Sequence, residues 1–198
     1  MQENWDDKIG PRVRGHVLIK DKGTGEILVD KFNAIHAENF SLAIAQSLGN
    51  RGIGMIHEMV FGNGASTVSG TGVVTYFPPN VTGSTAQLYN QTYRKVVDDM
   101  SPLDVNTTDN NIRIQHTQNT IYSDIVISCT LEVSEPAGQY TFDNATNQSD
   151  FVFNELGLKG AATIEGTGNL LTHVVFHPVQ KSLNRAIEVV YTVRIFMT

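Results

Sequence analysis

A period-two alternation through the second half of the chain is the feature that most limits what it can fold into. Ile125, Ile127, Cys129, Leu131 and Val133 alternate with Val126, Ser128, Thr130 and Glu132. Successive side chains on an extended strand point to opposite faces, so this spacing makes a half-buried strand. The same arithmetic applies near the C-terminus, where Ile187, Val189, Tyr191, Val193 and Ile195 fall on one face, opposite Glu188, Thr192 and Arg194. Residues 112–116 read as a short strand, and 151–158 and 170–177 are two further apolar segments, divided by a Gly-rich turn over 160–168. Uncharged polar residues reinforce the bias toward strands and turns: the chain holds 16 Asn, 19 Thr and 17 Gly, and only 17% of it is charged. Thr suits a pleated surface, while Asn and Gly punctuate it.

The first half adds two strands, a helix and a long excursion. Residues 16–19 and 26–32 flank Asp21-Lys22-Gly23-Thr24-Gly25, the composition of a hairpin turn. From 36 to 48, Ala37, Phe40, Ala43, Ile44 and Leu48 recur at spacings of three and four and form the stripe of an amphipathic helix. Gly49 and Asn50 follow, where a left-handed cap is expected. Residues 53–61 read as a short strand ended by Gly62-Asn63-Gly64. Residues 65–86 read as a surface excursion, 87–97 as helix or strand, and 101–111 as a polar turn. The expected architecture is mainly β: an antiparallel β-sandwich or jelly roll with one amphipathic helix and long loops. Residues 1–11 form an N-terminal arm, and 12–198 one domain with a loop-rich insertion at about 62–111. Because the closing strand reaches almost to the last residue, the chain is expected to be a finished unit.

Charge and motifs narrow the function. Fourteen Lys and Arg stand against 20 Asp and Glu, for a net charge of −6, and the longest basic run is Arg94-Lys95. A grip on nucleic acid needs clustered basic residues, so none is expected. No stretch approaches the roughly 20 apolar residues of a membrane helix, and the first 15 residues carry no apolar signal core. A soluble chain made in the cytoplasm is expected. The six N-x-S/T triplets, at Asn39, Asn80, Asn90, Asn106, Asn144 and Asn147, then reflect the abundance of Asn and Thr. Cys129 stands alone and reads as a small buried residue.

Each candidate for chemistry fails on spacing. His173 and His177 have the separation of two zinc ligands on a helix, but in a strand they lie roughly 13 Å apart at about 3.3 Å per residue. Residues 104–111 resemble the start of a calcium loop, yet Asp109 and Gln115 occupy the positions that need Gly and Glu. The pairs Gly62/Gly64 and Gly70/Gly72 complete no phosphate-binding pattern. His57 and Glu58 are adjacent on a strand and point to opposite faces, and the chain contains no G-x-S-x-G elbow. Neither catalysis nor a cofactor or metal is expected.

Four passages carry a resemblance. They are Gly25-Glu26-Ile27-Leu28-Val29-Asp30-Lys31-Phe32-Asn33-Ala34-Ile35 leading into the helix; Ile56-His57-Glu58-Met59-Val60-Phe61-Gly62-Asn63-Gly64; Phe153-Asn154-Glu155-Leu156-Gly157-Leu158, similar to an E-(I/L/V)-G-L strand; and Leu170-Leu171-Thr172-His173-Val174-Val175-Phe176 with Pro178 and Lys181. In this order they resemble the β-sandwich domains of tail-fibre, baseplate and collar proteins of tailed bacteriophages. The resemblance implies a virion structural protein that forms homo-oligomers, as a trimer or higher ring, and binds other virion structural proteins. The chain departs from fibres in having no repetitive shaft and no receptor-binding tip, which favours a tail, baseplate or neck-collar adaptor.

Aromatic residues concentrate energy at protein interfaces. Tyr76, Phe77, Tyr89 and Tyr93 in the loop from Thr75 to Tyr93, with Trp5 in the arm, are therefore the candidate interface residues. The alternative for any one of the loop aromatics is that it folds back over its own core. Two other functions share the expected fold. A capsid decoration (cement) protein would clamp capsid subunits, and a carbohydrate-binding module would use exposed aromatics. Trp5, the only Trp, lies in the arm and off any sheet platform, which weakens the second of these.

Overall fold

The computed structural model describes residues 10–136 and 152–197. Nine strands form one continuous antiparallel sheet: β1 Pro11–Asp21, β2 Ile27–Ile35, β3 Ile56–Gly62, β6 Gln91–Val96, β7 Asn111–His116, β8 Tyr122–Leu131, β9 Val152–Gly160, β10 Leu170–Gln180 and β11 Ile187–Met197. Their order is β6-β3-β9-β10-β2-β1-β11-β8-β7. Two short strands, β4 Ser66–Val68 and β5 Val74–Tyr76, make a separate hairpin. The helix α1 spans Ala37–Leu48.

The sheet curls on itself at β2, whose residues 27–33 pair with β1 while Ala34 and Ile35 pair with His173 and Thr172 of β10. One strand thus belongs to both halves, and their inner faces meet as the layers of a sandwich. One half contributes Val17, Ile19, Ile127, Cys129, Val189 and Tyr191 to the shared core; the other contributes Met59, Phe61, Phe153, Leu158, Val174 and Phe176. The alternations in β8 and β11 therefore fall on the expected faces, except that Val133 lies beyond β8 and is exposed.

The helix begins at His36, whose Nδ1 accepts the Asn39 N–H at 3.2 Å while its Nε2–H donates to Gly83 O at 2.8 Å. This caps one orphan amide of the first turn. At the other end Asn50, not Gly49, adopts the left-handed conformation, with φ of 50°. Residues 87–97, open between helix and strand in the sequence, supply β6. The strand foreseen from Ile53 starts only at Ile56, after Gly54 at φ of 96°. A side chain at Gly54 would be strained there, and its Cβ would fall 2.6 Å from Ala43 O.

β9 and the first seven residues of β10 are buried almost throughout, without alternation. Their inner face meets the core. Over the outer face lies the excursion, with Val60, Leu88 and Leu170 forming a second small apolar cluster. A strand covered on both sides reads as a continuous apolar run.

Candidate functional site

The residues with the most chemical potential converge on β9 and β10, where Glu155 and His173 lie opposite the excursion, both fully buried. Oε1 of Glu155 accepts the N–H of Gly64 at 2.9 Å and of Asn90 at 2.8 Å. Its Oε2 accepts the Tyr89 N–H at 2.9 Å and Nε2–H of His173 at 3.1 Å. His173 Nδ1 in turn accepts the Asn80 N–H at 2.8 Å. Burial alone would raise the Glu155 carboxyl; the His173 ring and the three amides outweigh it and hold the group below its ordinary value. The bond between Glu155 and His173 lies within the sheet and the other four join loop amides to it, so the pair is a clamp that fixes loop backbone.

Gly157, two residues along the same strand, completes the local geometry. A Cβ there would stand 2.5 Å from Thr172 O and 2.7 Å from Leu170 Cδ1. Only a glycine lets β9 and β10 approach this closely beside the clamp.

Of the candidate aromatics, Tyr89 packs onto the clamp and Phe77 packs onto Tyr89. Tyr89 lies 5.8 Å from the His173 ring and 5.2 Å from Phe77 between centroids, and its hydroxyl donates to Pro78 O at 2.7 Å. The Tyr76 hydroxyl pairs with His177 Nδ1 at 2.9 Å. Tyr93, on β6, donates to Glu135 Oε1 at 2.6 Å and packs on Phe61. Tyr76, Phe77 and Tyr89 form one group on the excursion, and Tyr93 is separate from it. Trp5 lies outside the described residues.

A second polar cluster bridges the two halves. Lys95 Nζ donates to Glu135 Oε2 at 2.6 Å and to Thr130 O at 2.7 Å. Near it lies Lys181, only 1% exposed, its ammonium pushed down to about 8 by burial, with Glu135 and Glu132 acting against the shift. A base whose folded value is lowered weakens the fold while the charge persists, and the fold gains stability as pH rises from about 8 toward the ordinary lysine value. Lys181→Met should therefore raise the melting temperature at pH 7, by a margin that shrinks steadily toward pH 10. Calorimetry across that range checks the trend, and an equal margin at both ends would refute it.

The remaining sequence candidates are spread apart. His57 pairs with Asp98 at 3.3 Å, whereas Glu58 accepts from Arg94 at 2.8 Å. His177 is exposed, unlike the buried His173. The 101–111 segment is a set of turns, with Asn106 Nδ2 donating to Asp109 Oδ2 at 2.9 Å and Asn110 Oδ1 accepting the Thr130 N–H. Among the described residues, no three His, Cys, Asp or Glu side chains gather as metal ligands. Burial pushes the Cys129 thiol up to about 12.

A surface feature that the sequence reading missed lies at the other end of the core. There an apolar groove of ≈ 460 Å³ opens between α1 and the sheet, lined by Ile44, Leu48, Met100, Ile114, Ile125 and Ile195 among others. Met100 is 92% exposed, Leu48 84% and Ile114 68%. The alternation of Ile112 and Ile114 marks a half-buried strand, but nothing local tells that their inner face lies beyond the opposing layer.

Comparison of the chain with protein-family models, curated sequences and solved structures finds no match. Among the described residues, no helix is long and apolar enough to cross a membrane.

Proposed function

We propose that the chain is a non-enzymatic structural protein of a bacteriophage particle, a tail, baseplate or neck component that assembles by symmetric contacts with its own copies and with neighbouring virion proteins. The observation that carries this reading is the exposed apolar surface around the groove, where Leu48, Met100 and Ile114 stand in solvent beside the open end of the core. Contiguous apolar surface of this kind marks places where proteins meet. The order of the four phage-like passages supports the particle assignment. The ionisable groups fit a scaffold, since the buried Glu155 and His173 and the half-buried Lys95 each hold backbone in place.

Mass spectrometry of purified particles, with heads and tails separated, tests the assignment. The chain should appear in the tail fraction at a fixed ratio to other tail proteins. Its presence in heads alone would move it to capsid decoration, and its absence from both would overturn the proposal.

A further inference from the structure

An open sheet leaves two edges, and β7 is one of them. In an antiparallel ladder each residue turns both backbone groups toward one neighbouring strand, and the next residue turns them the other way. Thr130 of β8 sends its N–H to Asn110 Oδ1 at 3.1 Å, on the side where β7 lies. Ser128 therefore faces the same way, and Ser128 is paired with Asn111. It follows that Asn111, Arg113 and Gln115 bond to β8, while Ile112, Ile114 and His116 direct N–H and C=O outward. Ile112 agrees independently, because its N–H reaches the Asp99 carboxylate at 3.3 Å.

Exposed edges are usually blunted by side chains that occupy them. This edge is occupied only in part. Asn110 and Lys95 take the amide and carbonyl of Thr130 just past the start of β7, and Asp99 takes the amide of Ile112. No described side chain bonds the outward groups of Ile114 or His116. The Ile114 side chain, at the groove mouth, is also largely exposed.

We propose that this edge pairs, antiparallel and about a two-fold axis, with β7 of a second copy of the chain, the two Gln115 residues facing each other. A second copy is the occupant that the pattern fits. The two open positions are symmetric about Gln115, so each Ile114 meets the other copy's His116 and the N–H and C=O of both residues are satisfied at once. Sliding the strands toward Ile112 would drive the incoming backbone onto Asp99, which fixes the register. The pairing deepens the assembly reading and rests on it for the expectation that copies meet.

Cysteine cross-linking of the full chain tests the register. Directly opposed, non-hydrogen-bonded residues hold their Cβ atoms about 4.5–5.5 Å apart, within easy reach of a disulfide. Gln115→Cys should give a reducible dimer under mild oxidation, more than ~10-fold faster than Arg113→Cys, whose sulfurs would lie roughly 13 Å apart along the strands. Both positions are exposed, and the native Cys129 is fully buried. Equal rates for the two variants, or no cross-linked dimer from Gln115→Cys, would overturn the pairing. If the chain is found in tails yet Gln115→Cys stays uncoupled, only this inference falls. A cross-linked dimer of a chain absent from particles would overturn the virion assignment and leave the pairing standing.

Discussion

Glu155→Ala should be among the most damaging single substitutions in the protein, costing about 3–5 kcal/mol of stability, because each buried donor left without an acceptor costs roughly 1–3 kcal/mol. The change strips the acceptor from the amides of Gly64, Tyr89 and Asn90 and from the His173 ring at once. Four donors would then be buried or half-buried with nothing to receive them. Glu155→Gln would not rescue the site, because its amide nitrogen presents hydrogens to donors. For a chain of this size the loss corresponds to a melting temperature lower by roughly 6–20 °C. The loop segment over 63–90 should also become the first site of proteolytic cleavage. The wild type carries a matching pH signature. The Glu155 carboxyl is lowered on folding, so its contribution is present above the ordinary glutamate value and is lost as pH falls through the folded value. Acid should destabilise the wild type more steeply than the Gln variant. A variant within about 1 kcal/mol of wild type would contradict the clamp.

Phe61→Ala should cost about as much, roughly 3–5 kcal/mol, by a different mechanism. Phe61 is 1% exposed on β3, with its ring centroid 5.1 Å from Phe153 and 6.2 Å from Tyr93. The ring fills space between the two layers, and neither backbone can close over the void, because β3 is bonded on both sides, to β6 and β9. Val105→Ala is the contrasting control. At 94% exposure it should stay within about 0.5 kcal/mol of wild type. Urea unfolding of both variants measures the difference. Similar losses for the two would mean that the layers do not share one core.

The strands β8 and β11 were legible because each buries one face and wets the other, leaving a period of two in the sequence. α1 was legible through its stripe. β9 and β10 showed only apolar runs, since the excursion covers the face that would otherwise have been polar. Their pairing order was hidden because β2 changes partners within itself, at Ala34. Glu155 gave one signal, a carboxylate within the run Phe153-Asn154-Glu155-Leu156, which requires buried partners. Those partners lie 18, 65, 66 and 91 residues away, beyond the reach of any local pattern. Tyr76, Phe77, Tyr89 and Tyr93 drew attention as interface candidates by composition. Three of them bond a hydroxyl within the chain, although Tyr76 and Tyr89 stay partly exposed, and the apolar groove is lined instead by residues of α1, β7 and the turn at Met100.

The proposed function requires mating of molecular surfaces, and light scattering of the purified full chain over a range of concentrations reads that out in one step. Particles whose mass is a multiple of 21.7 kDa, persisting on dilution to low micromolar levels, are the expected result. A single 21.7 kDa species at every concentration would contradict it.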